Sequence, residues 1–285
     1  MSPMQIKSIS LHAKYVSRGK NQSVAYNMSY AQGKTYTDKF YRKTFYGHNR
    51  NDLVHGELLL PEDAPAEYHN TQTFLDALND SEKRKDALMA INYTLALPNE
   101  LDEAERLNLA RSFVQENFVK HGHPVSIAIH SGLASEHPKA LKVQAATERL
   151  NNPHVHILVP LRIVGAHGFL STKYQGRSMC QKKFLYQLRK NWADRQNQIF
   201  ERHGIAVRMT AHSYKDRGIS REPTPHLGPW VEQQEAAGIK TERGEQYRQV
   251  LAANRKNSRK IEAQLRHESE LIMERENERE ITFER

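Results

Sequence analysis

Cysteine and long apolar runs are what this chain of 285 residues lacks most clearly. The single cysteine, Cys180, excludes an internal disulfide and a cysteine-based zinc cluster, and it fits a reducing cytosol. No apolar stretch approaches the ~20 residues that a membrane-spanning helix needs. The N-terminus also lacks the apolar core of a secretory signal. We therefore expect a cytoplasmic protein with no membrane insertion.

Glycine and proline are absent from the last forty or so residues, and net charge is absent there too. Residues 245–285 hold nine basic and nine acidic side chains, whereas the whole chain carries 42 Lys and Arg against 33 Asp and Glu. The excess of +9 therefore lies in residues 1–244, where it favours a polyanionic partner, nucleic acid before membrane. We expect one domain over 1–244 and a charged helical tail or linker over 245–285, supported by pairs such as Glu262 with Arg266.

Apolar periodicity predicts a mixture of strands and helices without regular alternation, which favours an α+β fold with a mainly antiparallel sheet flanked by helices. Residues 34–52 read as irregular. The predicted strands are 6–16, 53–60, 91–97, 125–129, 154–164 and 206–209, and the predicted helices are 23–33, 71–90, 102–120 and 182–203.

Two histidines, His154 and His156, alternate within an apolar run. Alternate side chains of a strand point to the same face, so the pair makes half of a metal site. His130, which closes another apolar stretch, is the favoured third ligand, and His137 is its rival. Three neutral imidazoles hold a divalent transition ion and leave coordination positions open, as a catalytic Lewis acid requires. The alternative is a set of core histidines.

A nucleophile and phosphate contacts are also present near the N-terminus. Tyr26 and Tyr30 lie four residues apart on a predicted helix and share a face, although either could serve only in packing. The preceding basic turn offers Arg18 and Lys20 to backbone phosphates.

At this point several segments resemble the MobA/MobL plasmid mobilisation relaxases, in consistent order over about residues 5–250. Six ordered motifs are more specific than a single pair of histidines. The matching segments are Ser17-Arg18-Gly19 with Tyr30, His55 to Pro61, Glu82 to Ala87, Leu95 to Leu101, Ala128-Ile129-His130 with Asn152 to His156, and His212 to Gly228.

The resemblance implies the roles of several residues. Tyr30 falls on the family's nucleophile, and His130, His154 and His156 fall on its ligands for Mn²⁺ or Mg²⁺. Such enzymes cut one strand of a plasmid transfer origin, giving a 5′-phosphotyrosyl adduct and a free 3′-OH, on the His-hydrophobe-His endonuclease fold. The resemblance further implies single-stranded origin DNA, accessory origin-binding proteins and a type IV secretion coupling protein as partners in a bacterial, plasmid-associated setting.

The chain also departs from the family pattern. Asn92 and Thr94 stand where relatives often carry acidic residues, so Glu57 becomes the candidate catalytic acid. The equally favoured alternative is that Glu57 is only an exposed carboxylate at the end of a strand. The gap between His130 and His154 is longer than usual.

The segment 212–228 is either a structural wrap or a DNA contact. In the second case Lys215, Arg217 and Arg221 would bind DNA.

Two other functions stay open at the level of sequence. A rolling-circle replication initiator would share the histidine pair and the tyrosine. A non-catalytic DNA-binding protein with a degenerate metal site would differ by forming no covalent adduct.

Overall fold

The computed structural model of the chain describes residues 4–47, 51–132, 152–225 and 227–283. These residues form two compact units. The sheet unit contains the described residues between 9 and 195, and the helical unit contains 4–8 and the described residues from 196 onward. The strands are β1 (Gln5–Ser8), β2 (Leu11–Ser17), β3 (Tyr36–Asp38), β4 (Lys43–Phe45), β5 (Leu53–Leu59), β6 (Leu88–Ala96), β7 (Val125–His130), β8 (His154–Pro160), β9 (Val164–Gly165), β10 (Gly168–Phe169) and β11 (Val207–Thr210). The helices are α1 (Val24–Gln32), α2 (Thr71–Asp80), α3 (Glu103–Asn117), α4 (Tyr174–Ser178), α5 (Lys182–Arg202), α6 (Gly228–Ala236), α7 (Glu242–Lys256) and α8 (Ser258–Phe283).

A five-stranded antiparallel sheet organises the sheet unit, in the order β2-β6-β8-β7-β5. The predicted α+β class with a mainly antiparallel sheet is therefore confirmed. The histidine strand β8 lies in the middle of the sheet and is paired on both sides. Its central place holds the backbone of the histidines rigidly, because both edges of β8 are hydrogen-bonded.

Helices cover both faces of this sheet. On one face α1 and α2 bury an apolar cluster that includes Met28, Phe74 and Leu78. On the other face Tyr93 of β6 stacks on Phe118, and Phe113 of α3 meets Trp192 of α5 edge to face. Burial of both faces fixes which side chains of each strand point to which helix layer.

Several predicted boundaries were wrong. The strand expected over 6–16 is two strands, β1 and β2, in different units. The helix expected over 71–90 ends at Asp80, and Leu88 already belongs to β6. The segment 34–52, expected to be irregular, contains the hairpin of β3 and β4.

The helical unit contains the parallel pair of β1 with β11 and the helices α6, α7 and α8. The predicted tail is helical through Phe283, and it makes contacts within this unit. Arg217 pairs with Glu268 of α8, and Gln264 accepts a hydrogen bond from the Ser220 amide. A domain boundary at residue 244 stays a prediction. Among the described residues, no helix has the length and apolarity needed to cross a membrane.

Candidate metal centre and nucleophile

Three histidines meet at one end of the sheet. His154 and His156 point to the same face of β8, and the antiparallel register sets His130 of β7 directly beside His154. The ring centroids are 5.0–5.1 Å apart, and one nitrogen from each ring lies within 4.8 Å of the other two. The structure thus brings the three predicted ligands together. The rival His137 lies outside the described residues.

Backbone carbonyls determine which nitrogen of two rings carries the proton. His154 Nδ1 lies 2.9 Å from the Asn152 carbonyl oxygen, and His130 Nε2 lies 2.8 Å from that of Ala31. A carbonyl oxygen only accepts, so these nitrogens are the donors. The other nitrogen of each neutral ring keeps its lone pair for a metal ion, and the ring orientation is held from behind.

Two further polar side chains lie near the cluster. Thr94 Oγ1 lies 3.3 Å from His156 Nδ1. Asp52, which sequence reasoning did not select, has its carboxylate 3.7 Å from His130 Nδ1. Its carbonyl accepts a hydrogen bond of 2.7 Å from the Ser131 amide, which fixes it at the end of β7. Asp52 directly precedes β5, and only the pairing of β5 with β7 brings it to His130.

The donor set fits a divalent transition ion. Imidazole is a ligand that suits such ions, and three of them leave coordination positions open. His130 is completely buried, while His154 and His156 are partly exposed. The cluster is therefore closed on the side of β7 and accessible from the side of β8.

Tyr30 lies in the last turn of α1, where the backbone of the helix comes into contact with this cluster. It precedes Ala31, whose carbonyl contacts His130, and its side chain is 54% exposed. Ser23 caps the helix by accepting from the Tyr26 amide, and Gly33 ends it in the left-handed conformation. Tyr26, one turn earlier, has its ring 6.5 Å from that of Tyr30. Of the two tyrosines, Tyr30 is adjacent to the residue that contacts the cluster.

Glu57, the predicted catalytic acid, lies on the other face of the sheet, which corrects that prediction. It pairs in register with Ile127, whose side chain points away from His130. Arg111 of α3 binds its carboxylate at 2.7 and 3.0 Å, and His55 lies 3.1 Å away. Burial alone would raise the pKa of Glu57, but the hydrogen bonds from Arg111 and His55 outweigh burial and lower it. Glu57 is therefore a structural carboxylate.

Arg18, a predicted DNA contact, is buried instead. Its guanidinium donates to the carbonyl oxygens of Glu82 and Asn79 at 2.7 and 3.0 Å, and it stacks on Phe40. These contacts leave it unavailable to a phosphate. Lys20, two residues on, is exposed.

Arg217, in the helical unit, is also structural. Its side chain is 4% exposed, is paired with Glu268 and donates to Ser8 Oγ at 3.0 Å. Lys215 and Arg221 are exposed on the same segment. The segment therefore contains both a buried structural contact, through Arg217, and exposed basic side chains, Lys215 and Arg221.

Comparisons with known proteins find a family model and several relatives that match this chain. The model of the MobA/MobL family matches residues 22–237, a span that includes Tyr30 and all three histidines. The conjugal transfer protein TraA of Agrobacterium fabrum is 28% identical over 244 residues, covering 76% of this chain and 21% of that protein. The mobilization protein MobL of Acidithiobacillus ferridurans is 28% identical over 285 residues, covering 94% and 72%.

A solved structure also shares the fold. It belongs to work on the molecular basis of vancomycin resistance transfer in Staphylococcus aureus, with a TM-score of 0.60 and 25% identity, covering 73% of this chain and 100% of the other. The chain spans about a fifth of the length of the TraA proteins that it matches, 21% in the first of them.

Proposed function

The chain belongs to the MobA/MobL family, and from that premise we propose that it is a conjugative relaxase that nicks and rejoins one strand of a plasmid transfer origin. The observation that carries the proposal is the three-histidine cluster, whose His130 contacts the carbonyl of Ala31, the residue after Tyr30. Packing alone does not require three imidazoles with their rings about 5 Å apart at the accessible end of a sheet. A non-catalytic DNA-binding protein would have no need of this arrangement.

Tyr30 is the nucleophile in this proposal. Its phenolic oxygen attacks the scissile phosphorus, forming the Oη–P bond while the bond from phosphorus to the 3′ oxygen breaks. The phenolic proton is lost to solvent or a nearby base, and the leaving 3′ oxygen takes up a proton to become the free 3′-OH. Because a phosphodiester is exchanged for another phosphodiester, the linkage keeps its energy for rejoining.

His130, His154 and His156 would hold a divalent ion, Mn²⁺ or Mg²⁺. Bound there, it would supply a Lewis acid for a non-bridging oxygen of the scissile phosphate. The chain's own residues do the rest: Ala31 and Asn152 orient two of the rings, and the closed side at His130 excludes water from one flank. Asp52, whose carboxylate lies 3.7 Å from His130 Nδ1, takes the place assigned to Glu57 in this proposal.

DNA is held in this proposal by exposed basic side chains, namely Lys20, Lys215 and Arg221. Arg18 and Arg217 are not among them, since both are engaged inside the protein. Strand transfer would need accessory origin-binding proteins and a type IV secretion coupling protein, and the reaction would take place in the bacterial cytoplasm.

Covalent attachment tests the proposal. We would incubate the protein with Mn²⁺ and labelled single strands from the candidate origin of its plasmid, then look for an adduct on a denaturing gel. The adduct should vanish in Tyr30→Phe, which lacks only the attacking oxygen, and weaken in His154→Ala. Tyr186→Phe, an equally exposed tyrosine on α5, is the control and should form the adduct normally.

Two results would count against the assignment. An adduct that survives Tyr30→Phe would move the nucleophile to another residue. DNA binding without an adduct on any origin strand would favour the binding protein over the enzyme.

A further inference from the structure

Exposed aromatic rings continue from Tyr30 along α1 onto the neighbouring hairpin. Tyr26 is 52% exposed, and its ring meets that of Phe45 edge to face at 5.3 Å. Tyr46, the next residue, is 73% exposed. Lys43 Nζ lies 5.3 Å from the centre of the Phe45 ring. We call Tyr26 and Phe45 the aromatic ledge.

The hairpin of β3 and β4, which carries Phe45, is hydrogen-bonded to the N-terminus of α1 near the turn between its strands. Ser23 Oγ, at the N-cap of α1, donates to Asp38 at 2.5 Å. The other oxygen of Asp38 accepts from the amides of Phe40 and Tyr41 at 3.0 and 3.2 Å, which shapes the turn between β3 and β4. The Tyr41 hydroxyl adds a bond of 3.3 Å to the Gln22 carbonyl.

The end of β4 is also hydrogen-bonded to α1. Ser29 Oγ, two turns along α1, donates to the Phe45 carbonyl at 3.2 Å. Hairpin and helix are thus joined at both ends of β4, and Phe45 is held against Tyr26. The aromatic ledge is preorganised, so binding a ligand there costs little conformational entropy of the protein.

These observations fit one occupant. Rigid exposed rings are stacking platforms for the bases of single-stranded nucleic acid, and a cation beside them suits the phosphate backbone. The rings of Tyr26 and Tyr30 are 6.5 Å apart on one face of the helix, so a base next to a phosphate held at Tyr30 is within reach of the Tyr26 ring. We propose that Tyr26, backed by Phe45, stacks on a base next to the scissile phosphate and positions the strand.

This inference rests on the proposed function and divides the work of the two tyrosines. Tyr30 reacts through its oxygen, whereas Tyr26 acts through its ring and needs no hydroxyl. Tyr26 is then a positioning residue, and Tyr26→Phe should behave as the unaltered protein does.

The experiment measures binding apart from cleavage. Anisotropy titrations would use labelled oligothymidylate and an oligomer of equal length whose sugars carry no bases. Tyr26→Leu should weaken oligothymidylate binding about 10-fold, because one stacked base is lost. The same variant should bind the abasic oligomer as the unaltered protein does. Tyr186→Leu, 55% exposed on α5, is the matched control and should change neither affinity.

Salt dependence separates stacking from charge. Tyr26→Leu should shift the affinity without changing the slope of log affinity against log salt, whereas Lys43→Gln should reduce that slope by about one contact. Unchanged oligothymidylate binding in Tyr26→Leu would overturn the inference, as would an equal loss on the abasic oligomer. A normal affinity but no adduct in Tyr26→Phe would also overturn it, by giving the hydroxyl a chemical role.

The proposed function can fail independently. If no origin strand forms an adduct while the base-dependent effect of Tyr26→Leu persists, the relaxase assignment is wrong and the stacking surface stands.

Discussion

Neighbouring residues of β5 point to opposite faces of the sheet. Gly56 pairs with Ala128 on the face that carries the histidines, and Glu57 pairs with Ile127 on the face that carries α3. Because successive side chains alternate, the carboxylate of Glu57 cannot reach His130 without passing through the sheet. Asp52, before the strand, reaches His130 from the end of the sheet instead.

This placement predicts opposite effects for two carboxylates. Glu57→Gln should lower the free energy of unfolding by about 1 kcal/mol, since it weakens the charge-assisted bonds from Arg111, and should leave Mn²⁺ affinity and adduct formation unchanged. Asp52→Asn should weaken Mn²⁺ binding by about 10-fold, because it removes a negative charge 3.7 Å from Nδ1, the nitrogen of His130 that faces the ion. Denaturant unfolding and calorimetric Mn²⁺ titration measure the two effects.

The effect of Glu57→Gln should depend on pH. The pKa of Glu57 is lower in the folded protein than its ordinary value of 4.5, so its stabilisation is present above about pH 4.5 and is lost as the pH falls through the folded pKa. The two proteins should therefore converge in stability in acid. Loss of the adduct in Glu57→Gln at neutral pH would restore Glu57 as a catalytic candidate.

At the scale of elements, α1 and α2 show which helix ends can be predicted from neighbouring residues and which cannot. The ends of α1 are set by Ser23 and Gly33, both readable in the sequence, and the prediction for α1 is confirmed. The predicted continuation of α2 to residue 90 was wrong because Arg18, distant in sequence, binds the carbonyls of Asn79, Glu82 and Arg84. The carbonyls of Glu82 and Arg84 are then held in a loop that begins directly after the last turn of α2.

Arg18 should consequently matter for stability rather than for DNA affinity. Arg18→Met would leave these carbonyls short of a donor, and we expect a loss of about 2–4 kcal/mol in the free energy of unfolding. Lys20→Met, exposed and nearby, should leave stability unchanged and weaken DNA binding. Thermal unfolding and anisotropy with oligothymidylate compare the pair; a stable Arg18→Met protein with weakened DNA binding would contradict the structural role.

At the scale of the whole molecule, the chain crosses between two units more than once. Residues 4–8 join the helical unit through the parallel pairing of β1 with β11, although the sequence that follows them builds the sheet unit. Within the helical unit, α8 holds the segment after β11 through Glu268 and Gln264. The predicted tail is therefore part of a folded unit along these contacts.

Truncation tests this role of the tail. A chain that ends after Gly244 loses Glu268 and Gln264, so amide protection in residues 213–222 should fall in hydrogen exchange. A chain that ends after Met273 keeps both residues and should retain the protection. Full protection in the shorter chain would show that 1–244 folds alone, as the sequence-level division expects.

The sequence by itself determined the elements whose signals are local. The caps of α1, the apolar run of β8 and the face shared by His154 and His156 follow from neighbours within a few residues. The ordered motifs of the sequence also indicated the family, because motifs and their order can be recognised without a structure.

Only the tertiary structure decided which distant residues meet. The approach of Asp52 to His130, the burial of Arg18 and the hairpin fastened to α1 each depend on strand register or on side chains far apart in sequence. Register shifts of one residue reverse the faces of a strand, and local propensity does not encode them. The candidate ligands were therefore visible in the sequence, while the groups that orient them became visible only once the sheet was assembled.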